Sequence, residues 1–242
     1  LDPASEERIG SIPDATIDDL NTAIIAAQKT QKTWGVTPGW QRSQYLRSIA
    51  HELRQIIDVA AHMMARECGK PLAEAKGEFN AAIDQFDWYA DEARRIFGHS
   101  LGGREAGIRL DVVYQPIGPV AAFSAWNFPA LLPARKIAAA LAAGCTIIIK
   151  PSSETPSSVF LFAEAAKKAG LPDGVISVVT GHSGKISKHL IASPVIRKIS
   201  LTGSVPVGKM IMKQAAEGLK RVSLELGGHA PVLVFSDADP IA

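Results

Sequence analysis

The sequence predicts an α/β protein: a Rossmann-like open parallel sheet with flanking helices, preceded by an N-terminal helical segment. Two observations predict it. From Gly118 onward, short runs of β-forming residues alternate with helix-length amphipathic stretches, the signature of βαβ units around a buried parallel sheet. Before that point, residues 14 to about 97 carry apolar side chains at helical spacing. At 242 residues the chain can fold as one large domain, or a domain with an appendage.

The first helix is expected from Asp14 to Trp34, with Ile17, Leu20, Ile24 and Ala27 on one face. A second is expected to open at Pro38, a favoured position near a helix start. Its stripe is Tyr45, Leu46, Ile49, Leu53, Ile56, Ile57, Ala60 and Met64, and Cys68-Gly69-Lys70-Pro71 stops it. A third carries Phe79, Ile83, Phe86 and Tyr89 or Ala90 towards Gly98. These stripes read as core and carry no chemistry of their own. Residues 98–107 are glycine-rich and read as turns, and Ile108–Gln115 alternates like a half-exposed strand. That strand is open to pairing with another chain or another part of this one.

The sheet strands are expected at Pro119–Ala125, Thr146–Lys150, Val175–Thr180, Lys198–Leu201, Val222–Glu225 and Val232–Phe235. Helices are expected at Leu131–Ala143, Pro156–Ala169, Lys185–Ile191 and Val205–Glu217. Right-handed crossovers place the loops after successive strands on one edge, where ligands of such sheets bind.

Four of those loops carry polar groups. Asn127, in Ala125-Trp126-Asn127-Phe128-Pro129, is either a turn or cap residue or a side-chain donor to a developing oxyanion. Lys150 follows three isoleucines; it is either a solvated strand-end lysine or a donor to ribose hydroxyls or phosphate. Gly203-Ser204 opens a helix with Pro206 in its first turn, and free N–H groups there favour a pyrophosphate. Glu225, before Leu226-Gly227-Gly228, is either an ion-paired strand end or a partly buried general base. Neither Gly-x-Gly-x-x-Gly nor a Walker A motif occurs.

The bulk chemistry narrows the partners. A net charge of +2 gives no long-range attraction for nucleic acid or anionic lipid. No apolar run reaches membrane-spanning length, and the first residues have no signal-peptide pattern. Two cysteines exclude a disulfide framework and fit a reducing cytoplasm. Neither has metal-ligand spacing to another Cys or His, so no zinc site is expected.

Together, Pro116-Ile117-Gly118-Pro119-Val120, Trp126-Asn127-Phe128-Pro129, Ala142-Ala143-Gly144-Cys145 leading to Lys150-Pro151-Ser152, Ala169-Gly170-Leu171-Pro172-Asp173-Gly174-Val175, Leu201-Thr202-Gly203-Ser204 and Leu224-Glu225-Leu226-Gly227-Gly228 resemble the aldehyde dehydrogenase superfamily from about Pro13 to the last residue. The resemblance implies NAD(P)-dependent oxidation of an aldehyde through a cysteine thioester. It casts Asn127 as the oxyanion donor and Glu225 as the base that activates water. Lys150, with Pro151, Ser152 and Ser153, becomes the adenosine-ribose loop; Gly203 and Ser204 the pyrophosphate turn; Trp126 and Leu226 cleft lining. Strongly NAD-selective relatives carry glutamate three residues after the lysine. Here Ser153 stands there, which favours NADP, or dual use, because serine can donate to a 2′-phosphate that glutamate would repel.

The Lys-Pro-Ser-Ser and Ser-Leu-Glu-Leu-Gly-Gly-His-Ala-Pro segments resemble succinate-semialdehyde dehydrogenases in particular. The implied layout is residues 1–107 as a helical part of the cofactor domain, 108–117 as a strand of an oligomerisation sheet, and 118–242 as the NAD(P)-binding core. The family's nucleophilic cysteine lies beyond the Glu-Leu-Gly-Gly segment, so the expectation is that the nucleophile and catalytic domain are absent from this chain. The strand near Val112 is then expected to lose its partner. Dimers or tetramers are expected of the full-length protein. Competing readings are a dehydrogenase for another semialdehyde or aliphatic aldehyde, an inactive nucleotide-binding fragment, and a non-catalytic scaffold; the scaffold leaves Asn127 and Glu225 unexplained.

Overall fold

The computed structural model describes residues 1–239; the last three residues of the expected core segment lie outside the described residues. Four helices come first: α1 (Ile17–Trp34), α2 (Gly39–Arg54), α3 (Ile57–Cys68) and α4 (Leu72–Glu92). Two short strands follow, β1 (His99–Gly102) and β2 (Arg109–Val112). Then come β3 (Val120–Phe123), α5 (Leu131–Ala142), β4 (Ile147–Lys150), α6 (Ser157–Lys168), β5 (Ile176–Val178), α7 (Ser183–Ala192), β6 (Lys198–Gly203), α8 (Val205–Glu217) and β7 (Arg221–Leu226).

The large sheet has the order β5-β4-β3-β6-β7, every neighbouring pair parallel. Side chains alternate across it with period 2. Val120, Ala122, Ile147 and Ile149 pack into one core with residues of α2 to α6. Ala121, Phe123, Ile148, Ile199 and Leu201 pack into a second core with α1, α7 and α8. The N-terminal helices are therefore divided between the two faces of the sheet. Helix α1 starts with a capping box, in which the Thr16 hydroxyl and the Asp19 carboxylate satisfy each other's backbone N–H groups. Helix α3 stops at Gly69, whose φ of +75° is open to glycine at little cost.

Three expectations are corrected. The single helix opened by Pro38 is two: Ile56 leaves helical geometry at φ −120° and ψ 13° between α2 and α3. The apolar stripe runs on through the break, and no glycine or proline marks it. Residues 98–107 are not all turn. Strand β1 pairs antiparallel with β2, from His99 opposite Val112 to Gly102 opposite Arg109. Strand β2 thus has a partner within the chain, and every residue of both strands is exposed. The strand expected at Val232–Phe235 does not form, and those four side chains are exposed. Their β-propensity finds no neighbouring strand to pair with among the described residues, and propensity without pairing does not make a strand.

Candidate functional site

Strand order creates the site. The chain builds β3, β4 and β5 to one side, then crosses over to lay β6 on the other side of β3. The loops after β3 and β6 diverge there, the usual ligand crevice of a doubly wound sheet. Register puts Phe123 beside both Lys150 and Leu201, and Thr202 beside Glu225. The strand ends therefore finish nearly level, and their loops share one edge.

A cleft of about 1350 Å³ opens at this edge and runs along α5, larger than the ~300–1,000 Å³ of an ordinary small-molecule pocket. Asn127, Lys150, Ser204 and Glu225 all line it, with Trp126, Ser152, Gly203 and Leu226. Pro151 and Ser153 stand outside the lining; the Ser153 hydroxyl instead accepts a hydrogen bond from Lys150 Nζ at 3.2 Å. Lys150 is buried and also donates to the Pro151 carbonyl at 3.0 Å. Burial lowers its pKa, and nearby Glu154 opposes that shift. The solvated strand-end reading of Lys150 is thereby excluded.

Glu225 is not the partly buried carboxylate expected from its position. Strand β7 is the sheet edge, and Glu225 is exposed on it. On β6 and β7 the face it occupies is polar. Ile199 and Leu201 of β6 enter the α1–α7–α8 core, which turns Lys198, Ser200 and Thr202 the other way. Arg221, Ser223 and Glu225 lie opposite those three in register. Lys198 Nζ donates to Ser223 Oγ at 2.6 Å. Thr202 Oγ1 is buried without a partner on the cleft wall, an orphan that a polar ligand atom could satisfy.

Four helix N-termini open on this edge, after β3, β4, β5 and β6. Helix α7 is capped by the His182 ring, which accepts from Lys185 N at 3.3 Å, and two others are closed by carboxylates from α4 and α3. Glu78 Oε1 of α4 accepts from the Ala130 and Leu131 N–H groups at 2.8 and 3.1 Å, capping α5. Glu67 of α3 accepts from Ser157 N and Oγ, capping α6. A resident carboxylate uses the free N–H groups and repels an incoming anion. Helix α8 has no side-chain cap, so its first turn beside Gly203-Ser204 is the one left open to phosphate. Gly208 keeps that turn close to β7: a Cβ there would lie 2.7 Å from a Leu226 methyl.

Sequence reasoning missed Lys136. It sits on α5, lines the cleft and donates from Nζ to Ser200 Oγ at 3.2 Å. Burial lowers its pKa from 10.5 to about 8, with Glu225 pulling it back up and Lys198 and Arg135 pushing it further down. The signal was a charged pair, Arg135-Lys136, inside an otherwise apolar helix. Because the folded chain releases this proton before the unfolded chain does, the unfolded state binds more protons between pH 8 and 10.5, and stability rises with pH across that window. Lys136→Met is expected to remove part of that rise. Thermal melts of both proteins between pH 7.5 and 10 test it, and parallel pH slopes would refute it.

The cysteines fit no nucleophilic role. Cys145 is buried and Cys68 half-buried, and burial raises the pKa of both thiols, the reverse of what a thiolate nucleophile needs. Cys145 does line the cleft, but at the end near Gln115 and Pro116, where β4 begins.

A doubly wound parallel sheet with its cleft beyond the strand ends defines the class of ligand-binding α/β folds. Within that class the chain belongs to the aldehyde dehydrogenase family, whose sequence profile matches residues 1–242. It is 45% identical over 98% of its length to the succinate-semialdehyde dehydrogenase [NADP(+)] GabD of Escherichia coli, spanning 49% of that protein. It is 44% identical over 98% of its length to a glutarate-semialdehyde dehydrogenase of Pseudomonas aeruginosa, again spanning 49%. Among solved structures, an Escherichia coli NADP-dependent enzyme superposes with a TM-score of 0.94 at 44% identity, covering 98% of this chain and 50% of that one. The chain thus spans about half the length of the curated relatives it matches.

Proposed function

We propose that this chain is the cofactor-binding part of an NADP-preferring dehydrogenase that oxidises a small semialdehyde, succinate semialdehyde first among them, to the carboxylic acid. The observation that carries the reading is the convergence of Asn127, Lys150, Ser204 and Glu225 on one cleft. In this reading the α8 N-terminus and Ser204 hold the pyrophosphate, Lys150 and the 151–153 loop face the adenosine ribose, and Trp126 and Leu226 line the cofactor cleft. The uncapped α8 turn, the orphan Thr202 hydroxyl and the size of the cleft fit such a dinucleotide. The cofactor, when bound, supplies the hydride acceptor.

The Asn127 side-chain amide donates to the oxyanion formed as a thiolate adds to the aldehyde, and Glu225 takes a proton from the water that cleaves the acyl-enzyme. An exposed Glu225 at a sheet edge remains reachable by water. Neither Cys68 nor Cys145 suits the nucleophile, so the reading takes the thiolate from outside these residues. The semialdehyde substrates named for the two curated relatives support the substrate class. The cytoplasm is the proposed setting, supported by two unpaired cysteines. The exposed β1–β2 hairpin, with Leu101, Leu110 and Val112 open to solvent, is the element proposed to join subunits of a dimer or tetramer.

Titrating the chain with NADP+ and NAD+ by calorimetry tests the cofactor assignment. NADP+ is expected to bind more tightly. Ser153→Glu places a carboxylate where a 2′-phosphate would sit and gives Lys150 a competing partner. A repulsion of ~1.4 kcal/mol would shift the NADP/NAD affinity ratio about tenfold towards NAD. Equal loss of both cofactors would separate Ser153 from the 2′-phosphate, and binding of neither would remove the cofactor assignment.

A further inference from the structure

The loop that carries Asn127 is held from behind by a buried ion pair. Lys70 lies in the turn between α3 and α4, and Glu78 lies two turns into α4. Their side chains are 12% and 3% exposed, and Lys70 Nζ meets Glu78 Oε2 directly. The other Glu78 oxygen accepts from Ala130 N and Leu131 N. Lys70 Nζ also donates to the Asn127 carbonyl at 3.1 Å and lies 4.6 Å from the centre of the Phe128 ring. One residue earlier, the Trp126 carbonyl accepts from Thr155 Oγ1 at 3.2 Å.

The backbone from Trp126 to Leu131 is therefore tied on the side away from the cleft, while Trp126 and Asn127 line the cleft itself. Neither Lys70 nor Glu78 lines it, so neither would touch substrate or cofactor. A buried pair of charges is weak evidence of stabilisation, since desolvation offsets much of its attraction. Its value here is geometric. One ammonium and one carboxylate fix four of six consecutive residues (127, 128, 130 and 131), and a buried pair tolerates few other arrangements.

We propose that Lys70 and Glu78 are positioning residues for Asn127, holding the 126–131 segment so that the Asn127 amide faces the reacting carbonyl. The inference rests on the oxyanion role assigned to Asn127 above. Steady-state oxidation of succinate semialdehyde with NADP+, measured in the natural full-length protein, tests it. Lys70→Met is expected to lower kcat at least tenfold while leaving KM for NADP+ within about twofold, and Lys70→Arg to recover most of the loss. Phe86→Leu, a core change in α4, controls for destabilisation: it should lower the melting temperature without lowering kcat.

The deciding measurement is the double variant. In an Asn127→Ala background, Lys70→Met should cost no further kcat, because the group it positions is gone. Multiplicative losses would overturn the inference and leave the proposed function standing, as would a Lys70→Met enzyme with unchanged kcat. An Asn127→Ala enzyme with normal kcat, or no turnover by the unaltered protein, would overturn the functional reading and this inference with it.

Discussion

Asn127→Ala is expected to lower kcat for semialdehyde oxidation about 10²–10³-fold, a loss of roughly 3–4 kcal/mol of transition-state stabilisation. The size follows from the kind of interaction. A preorganised amide that meets charge only as it develops contributes to the transition state and little to the ground state. KM for the aldehyde should therefore move much less than kcat. The substitution is also structurally mild, since Asn127 is exposed and the loop is held through its carbonyl. Single-turnover formation of reduced cofactor should slow with kcat. A variant that keeps the first turnover fast would assign Asn127 to a later step or to none.

Glu225→Gln should produce a different defect of comparable size. Loss of a general base costs about 10²–10⁴-fold, and in the proposed reaction the base is needed only once the acyl-enzyme exists. A burst of about one equivalent of reduced cofactor followed by slow turnover is the expected trace. Slowing of the burst itself would place Glu225 before hydride transfer. The fold of the variant should survive, because β7 is anchored by Val222 and Leu224, which pack against the second core, and Glu225 is exposed.

Much of this arrangement was legible in the chain. Parallel strands buried on both faces read as apolar runs, so Ile147–Ile149 announced a central strand and placed Lys150 at its end. The topology rule for such sheets then brought Asn127, Lys150, Ser204 and Glu225 to one edge without any contact being known. What stayed hidden depends on neighbours. The exposure of Glu225 follows from β7 being an edge strand, which strand order decides and local sequence does not. Lys136 occupies a helix position that would be core if a helix covered β6 and β7 on that side. The break at Ile56 leaves the apolar stripe unbroken and so leaves no mark on periodicity. Strand β1 exists only through β2, a pairing across a glycine-rich turn, and Val232–Phe235 has β-forming residues but no such neighbour.

The carboxylates that close α5 and α6 come from α4 and α3, segments whose stripes looked like plain packing. These carboxylates thus draw the electrostatic map of a cleft they do not line, closing the α5 and α6 seats to phosphate and leaving the α8 seat open. Grafting residues 57–80 from a relative with different caps would redirect anion preference with every wall residue unchanged. Ligand choice in this architecture is written partly in its scaffolding.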